Sequence, residues 1–252
     1  DTFLINKYKS SIIFNHYIMH INCIRIGEVL RKLRENGIQV VALKGIVLKN
    51  YYKEPENRYM GDVDILVKND EIESTDKILS DMGYECKSKN QKKHLIYYHK
   101  NFLPIEVHNY LIDEFYFNNA EQFEKDIWDN LVEKSVCEVK SFTLSNEYFL
   151  LHIILHMLCH FVHDGFGLNQ LCDLVLFIKE EQSSIDWDVV LLKAREYNIE
   201  RFLLSVLYIC QLLFDSSIIL LSGYRTNKYD NMLINDILSA GVFGQKNNYR
   251  FL

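Results

Sequence analysis

Proline is scarce, at two residues (Pro55 and Pro104), which speaks against long extended linkers. No two of the six cysteines (23, 86, 137, 159, 172 and 210) are spaced as Cys-x-x-Cys, so zinc-ribbon and thioredoxin-type readings fail. Such scattered residues read as buried, reduced thiols of a cytoplasmic protein. The longest apolar run, 203–214, is interrupted by Gln211 and falls short of the roughly 20 residues that span a bilayer. The opening DTFLINKYKSS has no cleavable-signal pattern. An excess of basic charge is also missing. Lysine and arginine number 28 against 34 acidic residues, a net charge of −6, which argues against a broad nucleic-acid-binding face. The chain starts without Met and stops at Arg250-Phe251-Leu252, so it reads as a piece of a longer gene product.

What is present is a globular composition. The 252 residues are 48% hydrophobic, enough for a sizeable core in one large domain or two small ones. The two halves differ in texture. Residues 1–144 mix short β-like runs with helices: a helix over 8–36 closed by Gly37, a strand at 40–43, a helical segment at 46–53 and a strand at 62–67. A helix starting at Asn69 or Asp70 closes at Gly83, and strands follow at 94–99, 103–108 and 136–143. Residues 145–240 read as helix after helix, the first capped by Ser145 and running to about His163, the others near 168–181, 186–196 and 199–214. The expected class is α+β: a mixed sheet flanked by helices over 1–144, followed by a helical bundle over 145–252.

Chemistry concentrates in two of the strands. Side chains alternate along a strand, so in Gly61-Asp62-Val63-Asp64-Ile65-Leu66-Val67 the two aspartates share one face while Val63, Ile65 and Val67 share the other. Leu103-Pro104-Ile105-Glu106-Val107-His108 repeats the arrangement, with Glu106 and His108 on one face. If the strands are neighbours, three carboxylates converge. Such a group repels itself unless a hard divalent cation joins it. The alternative is an ordinary solvated acidic face. Lys44-Gly45 follows a buried run, in the position of a turn through which a phosphate can approach backbone amides, and Lys44 and Arg58 add positive charge; a plain turn is the alternative there.

Together, Leu43-Lys44-Gly45, the run Arg58-Tyr59-Met60-Gly61-Asp62-Val63-Asp64-Ile65-Leu66-Val67 and Ile105-Glu106-Val107-His108 resemble the uncharacterised nucleotidyltransferase family of the DNA polymerase β superfamily. The resemblance is best over 38–110 and looser in the helical half. It implies a nucleotidyltransferase-like sheet domain with Asp62, Asp64 and Glu106 as catalytic, metal-binding carboxylates for a two-ion Mg2+ site. Gly45 would be the phosphate turn, with Lys44, Arg58 and His108 beside the nucleotide. The implied reaction moves a nucleoside monophosphate from an NTP to a hydroxyl of a small molecule or metabolite and releases pyrophosphate. Two alternatives share the fold: phosphoryl transfer, and a nucleotide-binding regulatory module without turnover, kept open by Ile46 after Gly45.

Several features stay outside this reading. His152, His156, His160 and His163 fall within roughly 80° on one helix. The stripe reads as a structural edge, as substrate contacts in a cleft, or as a metal site. Asp173 reads as a cap or a histidine partner. Lys87, Lys89, Lys92 and Lys93 read as a solvated loop with RNA or phosphate contact as the alternative, and Phe115-Tyr116-Phe117 as a stacking platform or core.

Overall fold

The computed structural model describes residues 2–87, 94–112, 119–163, 165–215, 217–221 and 223–240. The chain divides into two compact units, one of residues 1–111 and 131–143, the other of 112–130 and 144–252. The segment 112–130, counted with the sheet half in the sequence reading, thus groups with the helical unit, and the chain returns to the sheet afterwards.

The first unit begins with α1 (Thr2–Glu35), 34 residues long. Its second half buries Met19, Ile26, Val29, Leu30 and Leu33, spaced by three and four residues along one face. Its first half leaves Ile5, Tyr8, Ile12, Ile13, Phe14 and Tyr17 exposed. Gly37 ends the helix at a left-handed φ of 81°. Hydrogen bonds from Gly37 N to Arg34 O and from Ile38 N to Leu33 O close it as a Schellman turn.

Among the described residues, seven strands form one mixed sheet: β1 (Val41–Ala42), β2 (Val63–Leu66), β3 (Glu85–Cys86), β4 (His94–Tyr98), β5 (Ile105–His108), β6 (Leu131–Val136) and β7 (Val139–Leu144), in the order β3-β4-β5-β2-β1-β7-β6. β2 runs parallel to β5 and antiparallel to β1, and β7 is parallel to β1. Between β1 and β2 lie α2 (Lys44–Leu48) and two short 3-10 turns, and α3 (Ile72–Asp81) follows β2. Val41, Leu43, Val63, Ile65, Leu66, Ile105 and Val107 are all essentially inaccessible, so the strands nearest the acids are anchored in core.

The single strand expected at 136–143 is the hairpin β6–β7. Its turn residues Cys137 and Glu138 have φ of 46° and 62°. Two consecutive left-handed residues make the tight turn whose twist matches the flanking strands. Without Asn-Gly or Asp-Gly, no turn signal marks it in the sequence. The same turn corrects the expectation of reduced thiols, because Cys137 is disulfide-bonded to Cys23 of α1 across 114 residues of sequence. Cys86, Cys159, Cys172 and Cys210 take no part in a disulfide.

The second unit contains α4 (Ala120–Asp129), α5 (Asn146–His163), α6 (Leu168–Glu181), α7 (Trp187–Glu196), α8 (Glu200–Phe214) and α9 (Lys228–Ala240). α4 is not expected from the sequence, and α9 falls in the stretch read as helical without bounds of its own. The core is aliphatic and aromatic: Phe123, Phe149, Leu151, Ile154, Leu174, Phe177, Leu203, Val206 and Leu207 are fully or almost fully buried. Asp186 caps α7 by accepting from the backbone amides of Asp188 and Val189. Among the described residues, no helix is long and apolar enough to cross a membrane.

Candidate active site

The parallel register of β2 and β5 pairs Asp64 with Glu106 and Leu66 with His108. Partners across a ladder lie on the same face. Asp64 and Glu106 therefore stand side by side, two residues below His108. On the other side of β2, Leu43 donates its amide to the Asp64 carbonyl at 3.2 Å. That bond fixes the position of the next residue, Lys44.

Asp64 is buried (6% exposed) and its carboxylate is firmly held. One oxygen, Oδ1, lies 2.6 Å from Lys44 Nζ and 2.8 Å from His108 Nε2. His108 Nε2 also sits 3.8 Å from Glu106 Oε2, too far for a hydrogen bond. Burial alone would raise the Asp64 pKa. The charge of Lys44 and the hydrogen bond and charge of His108 outweigh it and hold the group well below the usual carboxylate range. Asp64 is thus a fixed anion.

Its neighbours are pushed the other way. Glu106 is raised first by burial and then by the charges of Asp64 and Asp62, against partial relief from His108 and Lys44. Asp62, exposed and just before the start of β2, is raised by loss of hydration and by Asp64, with Lys44, Arg58 and His108 opposing. One carboxylate is satisfied and two are repelled by it.

Ligand atoms of Asp64, Glu106 and His108 lie within 4.8 Å of one another, the only such group of three among the described residues. The paired carboxylates suit a hard divalent cation, which would remove the repulsion on Glu106. Asp62 is not in that group of three, but its charge reaches both acids.

The remaining expected site residues lie nearby. Gly45 is in the first turn of α2, and a side chain there would meet Arg58: a Cβ would sit 2.8 Å from Nη1 and 3.2 Å from Cζ. The absence of a side chain at 45 thus makes room for a guanidinium. Arg58 Nη1 also donates to the carbonyl of Tyr59 at 3.2 Å. Lys44 has φ of 41°, a left-handed conformation that costs a lysine about 1 kcal/mol. Its direct hold on Asp64 has no signal in strand alternation, because it depends on the β1–β2 pairing. His94 pairs with His108 across β4–β5, the two rings 5.6 Å apart.

The histidine stripe lies on α5. His152 is buried, His163 is exposed, and His156 and His160 bring their Nε2 atoms to 3.2 Å. No set of three ligand atoms gathers there among the described residues. Asp173 is buried on α6. Lys87 is exposed, whereas Lys89, Lys92, Lys93 and Phe115-Tyr116-Phe117 fall outside the described residues.

The model of a family described as uncharacterised nucleotidyltransferases matches residues 21–215. A search of curated proteins returns no match. Among solved structures, the chain is similar to the lincomycin-bound lincosamide antibiotic adenylyltransferase LnuA, at 14% identity and TM-score 0.41, covering 60% of this chain and 92% of that one. It is similar to an antigenic nucleotidyltransferase-like protein from Paracoccidioides brasiliensis, at 15% identity and TM-score 0.42, covering 72% and 92%. It is also similar to the antibiotic-resistance factor ANT(2'')-Ia, at 11% identity and TM-score 0.48, covering 73% and 95%.

Proposed function

The chain belongs to the uncharacterised nucleotidyltransferase family, and from that premise we propose that it transfers a nucleoside monophosphate from an NTP to a hydroxyl of a small molecule, with Mg2+. The observation that carries this reading is the pairing of Asp64 with Glu106 across β2 and β5, with His108 held beside them, ligand atoms of the three lying within 4.8 Å of one another. The net charge of −6 favours a small acceptor over a nucleic acid.

Asp62, Asp64 and Glu106 would hold the cation, which when bound polarises phosphate oxygens and lowers the pKa of an acceptor hydroxyl. Asp64 is the permanently ionised member. His108 orients its carboxylate through the 2.8 Å hydrogen bond. Glu106, whose affinity for a proton is raised by its acidic neighbours, is the group suited to take the hydroxyl proton. Lys44 and Arg58 supply positive charge for the triphosphate, with Gly45 leaving room for the Arg58 guanidinium. The acceptor oxygen then forms a bond to the α-phosphorus as the bond to the β-phosphate oxygen breaks, and pyrophosphate leaves in line. Most of the rate enhancement would come from positioning and charge neutralisation.

The test is incubation with each common NTP, Mg2+ and a panel of hydroxylated small molecules, following pyrophosphate and product mass. Acceptor-dependent pyrophosphate and a product heavier by one nucleoside monophosphate are expected. A product heavier by a phosphate alone reassigns the reaction to phosphoryl transfer. No release of pyrophosphate with any nucleotide and acceptor rejects the proposal.

A further inference from the structure

We propose that Lys44 is a resident counter-ion that competes with the divalent cation for Asp64, releasing it when the donor's phosphates draw the ammonium away. This rests on the reading of Asp64 as an ion ligand and adds an order to the binding events.

Three observations converge on Lys44. Its Nζ is 2.6 Å from Asp64 Oδ1, with the two side chains only 16% and 8% exposed. A cation bound by that oxygen would need the same space, and two positive charges so close repel strongly where water is scarce. The carboxylate it holds is also a member of the donor set formed with Glu106 and His108, so the ammonium occupies, in electrostatic terms, the place of a cation at one edge of that set. Finally, the backbone of Lys44, the first residue of α2, is held at a left-handed φ. An unfavourable backbone conformation persists where the surrounding structure demands it, and here it places the stem of a flexible side chain beside the anion. Its stem lets the ammonium swing between anions, whereas the planar fork of arginine would not exchange so readily.

A triphosphate is a stronger anion than one carboxylate. Its arrival offers Lys44 another partner and leaves Asp64 to the cation that accompanies the nucleotide. In the absence of nucleotide, the ammonium keeps a buried aspartate paired and the site weak for free metal. Lys44 is thus a positioning residue for the ion as well as a phosphate ligand.

The experiment titrates purified wild type, Lys44→Met, Asp64→Asn and the double variant with Mn2+ by calorimetry, without nucleotide. Each protein is titrated separately with α,β-methylene ATP. Lys44→Met is expected to bind Mn2+ at least about tenfold more tightly than wild type and the nucleotide analogue at least about tenfold more weakly. Asp64→Asn abolishes the gain in the double variant. Thermal melting gives a second readout: the Mn2+-induced rise in Tm is larger in Lys44→Met than in wild type. If Lys44→Met proves unstable, Lys44→Gln carries the same expectation. Unchanged or weaker Mn2+ binding on loss of the ammonium, with Asp64→Asn still losing the ion, overturns the role of Lys44 and leaves the ion site standing. Mn2+ binding indifferent to Asp64→Asn overturns both.

Discussion

Each unit of this protein buries an aspartate against a lysine, and the two clusters are built to opposite ends. In the helical unit, Asp126 of α4 accepts from Gln122 at 2.7 Å and from the Tyr197 hydroxyl at 2.6 Å, and pairs with Lys193 Nζ at 2.7 Å. Glu196 pairs with the same lysine at 2.9 Å. Each charge there has a partner of opposite sign. In the sheet unit, Asp64 is equally well held by Lys44 and His108, but Asp62 and Glu106 crowd it with like charge. A balanced cluster stabilises the native state, whereas an unbalanced one keeps a binding capacity that a cation and a polyanion can use.

Exchanging one acid in each cluster should separate the two roles. The largest effect is on turnover: Asp64→Asn is expected to lower it by on the order of 10³-fold per folded molecule, far more than the lost pairing with Lys44 and His108 costs the fold, measured by pyrophosphate release and thermal melting. A variant that keeps its activity would abolish the distinction. Asp126→Asn should do the reverse, costing about 2–3 kcal/mol in denaturant unfolding by leaving Lys193 and Tyr197 poorly matched, with turnover per folded molecule unchanged.

Gly45→Ala tests the crowding between α2 and Arg58. The added carbon displaces the end of a flexible side chain, so stability should barely move, but donor KM should rise by about tenfold as the guanidinium is pushed aside. Glu106→Gln is smaller and opposite in sign for stability. Removing one of the repelling carboxylates should stabilise the metal-free protein by less than about 1 kcal/mol, read as a raised Tm, even though activity falls.

The pH dependence sharpens the contrast further. Burial raises the Asp126 pKa, but hydrogen bonds from Lys193, Tyr197 and Gln122 more than offset this and leave it lowered. A carboxylate depressed in the folded state contributes stability above its unfolded pKa of about 4, and that contribution fades as pH falls toward the folded value. Asp126→Asn should therefore flatten the acid limb of a stability–pH curve. Glu106 is raised instead, so protonation favours the folded state. Its burden on metal-free stability is relieved as pH falls through its raised folded pKa, and Glu106→Gln should remove that relief.

Much of the site was legible because strand alternation is a local rule. Asp62-Val63-Asp64 and Glu106-Val107-His108 each assign their own faces, and the glycines at 37 and 83 mark helix ends through a conformation that L-residues avoid. The turn at Cys137-Glu138 was illegible for the converse reason, since its residues do not announce a positive φ. The helix at 120–129 is short and strongly charged, and its flanking Asn119 does not cap it: the residue is left-handed and its side chain donates to the carbonyl of Glu196.

Residue order alone determined which faces carry acid and which carry core, because side-chain direction repeats every second residue along a strand. Register was beyond its reach. Pairing of Asp64 with Glu106, the arrival of Lys44 from β1 and the neighbouring ring of His94 all depend on which strands lie side by side. Only tertiary structure decides that, since hydrogen bonds between distant segments form after the chain has collapsed around its shared core.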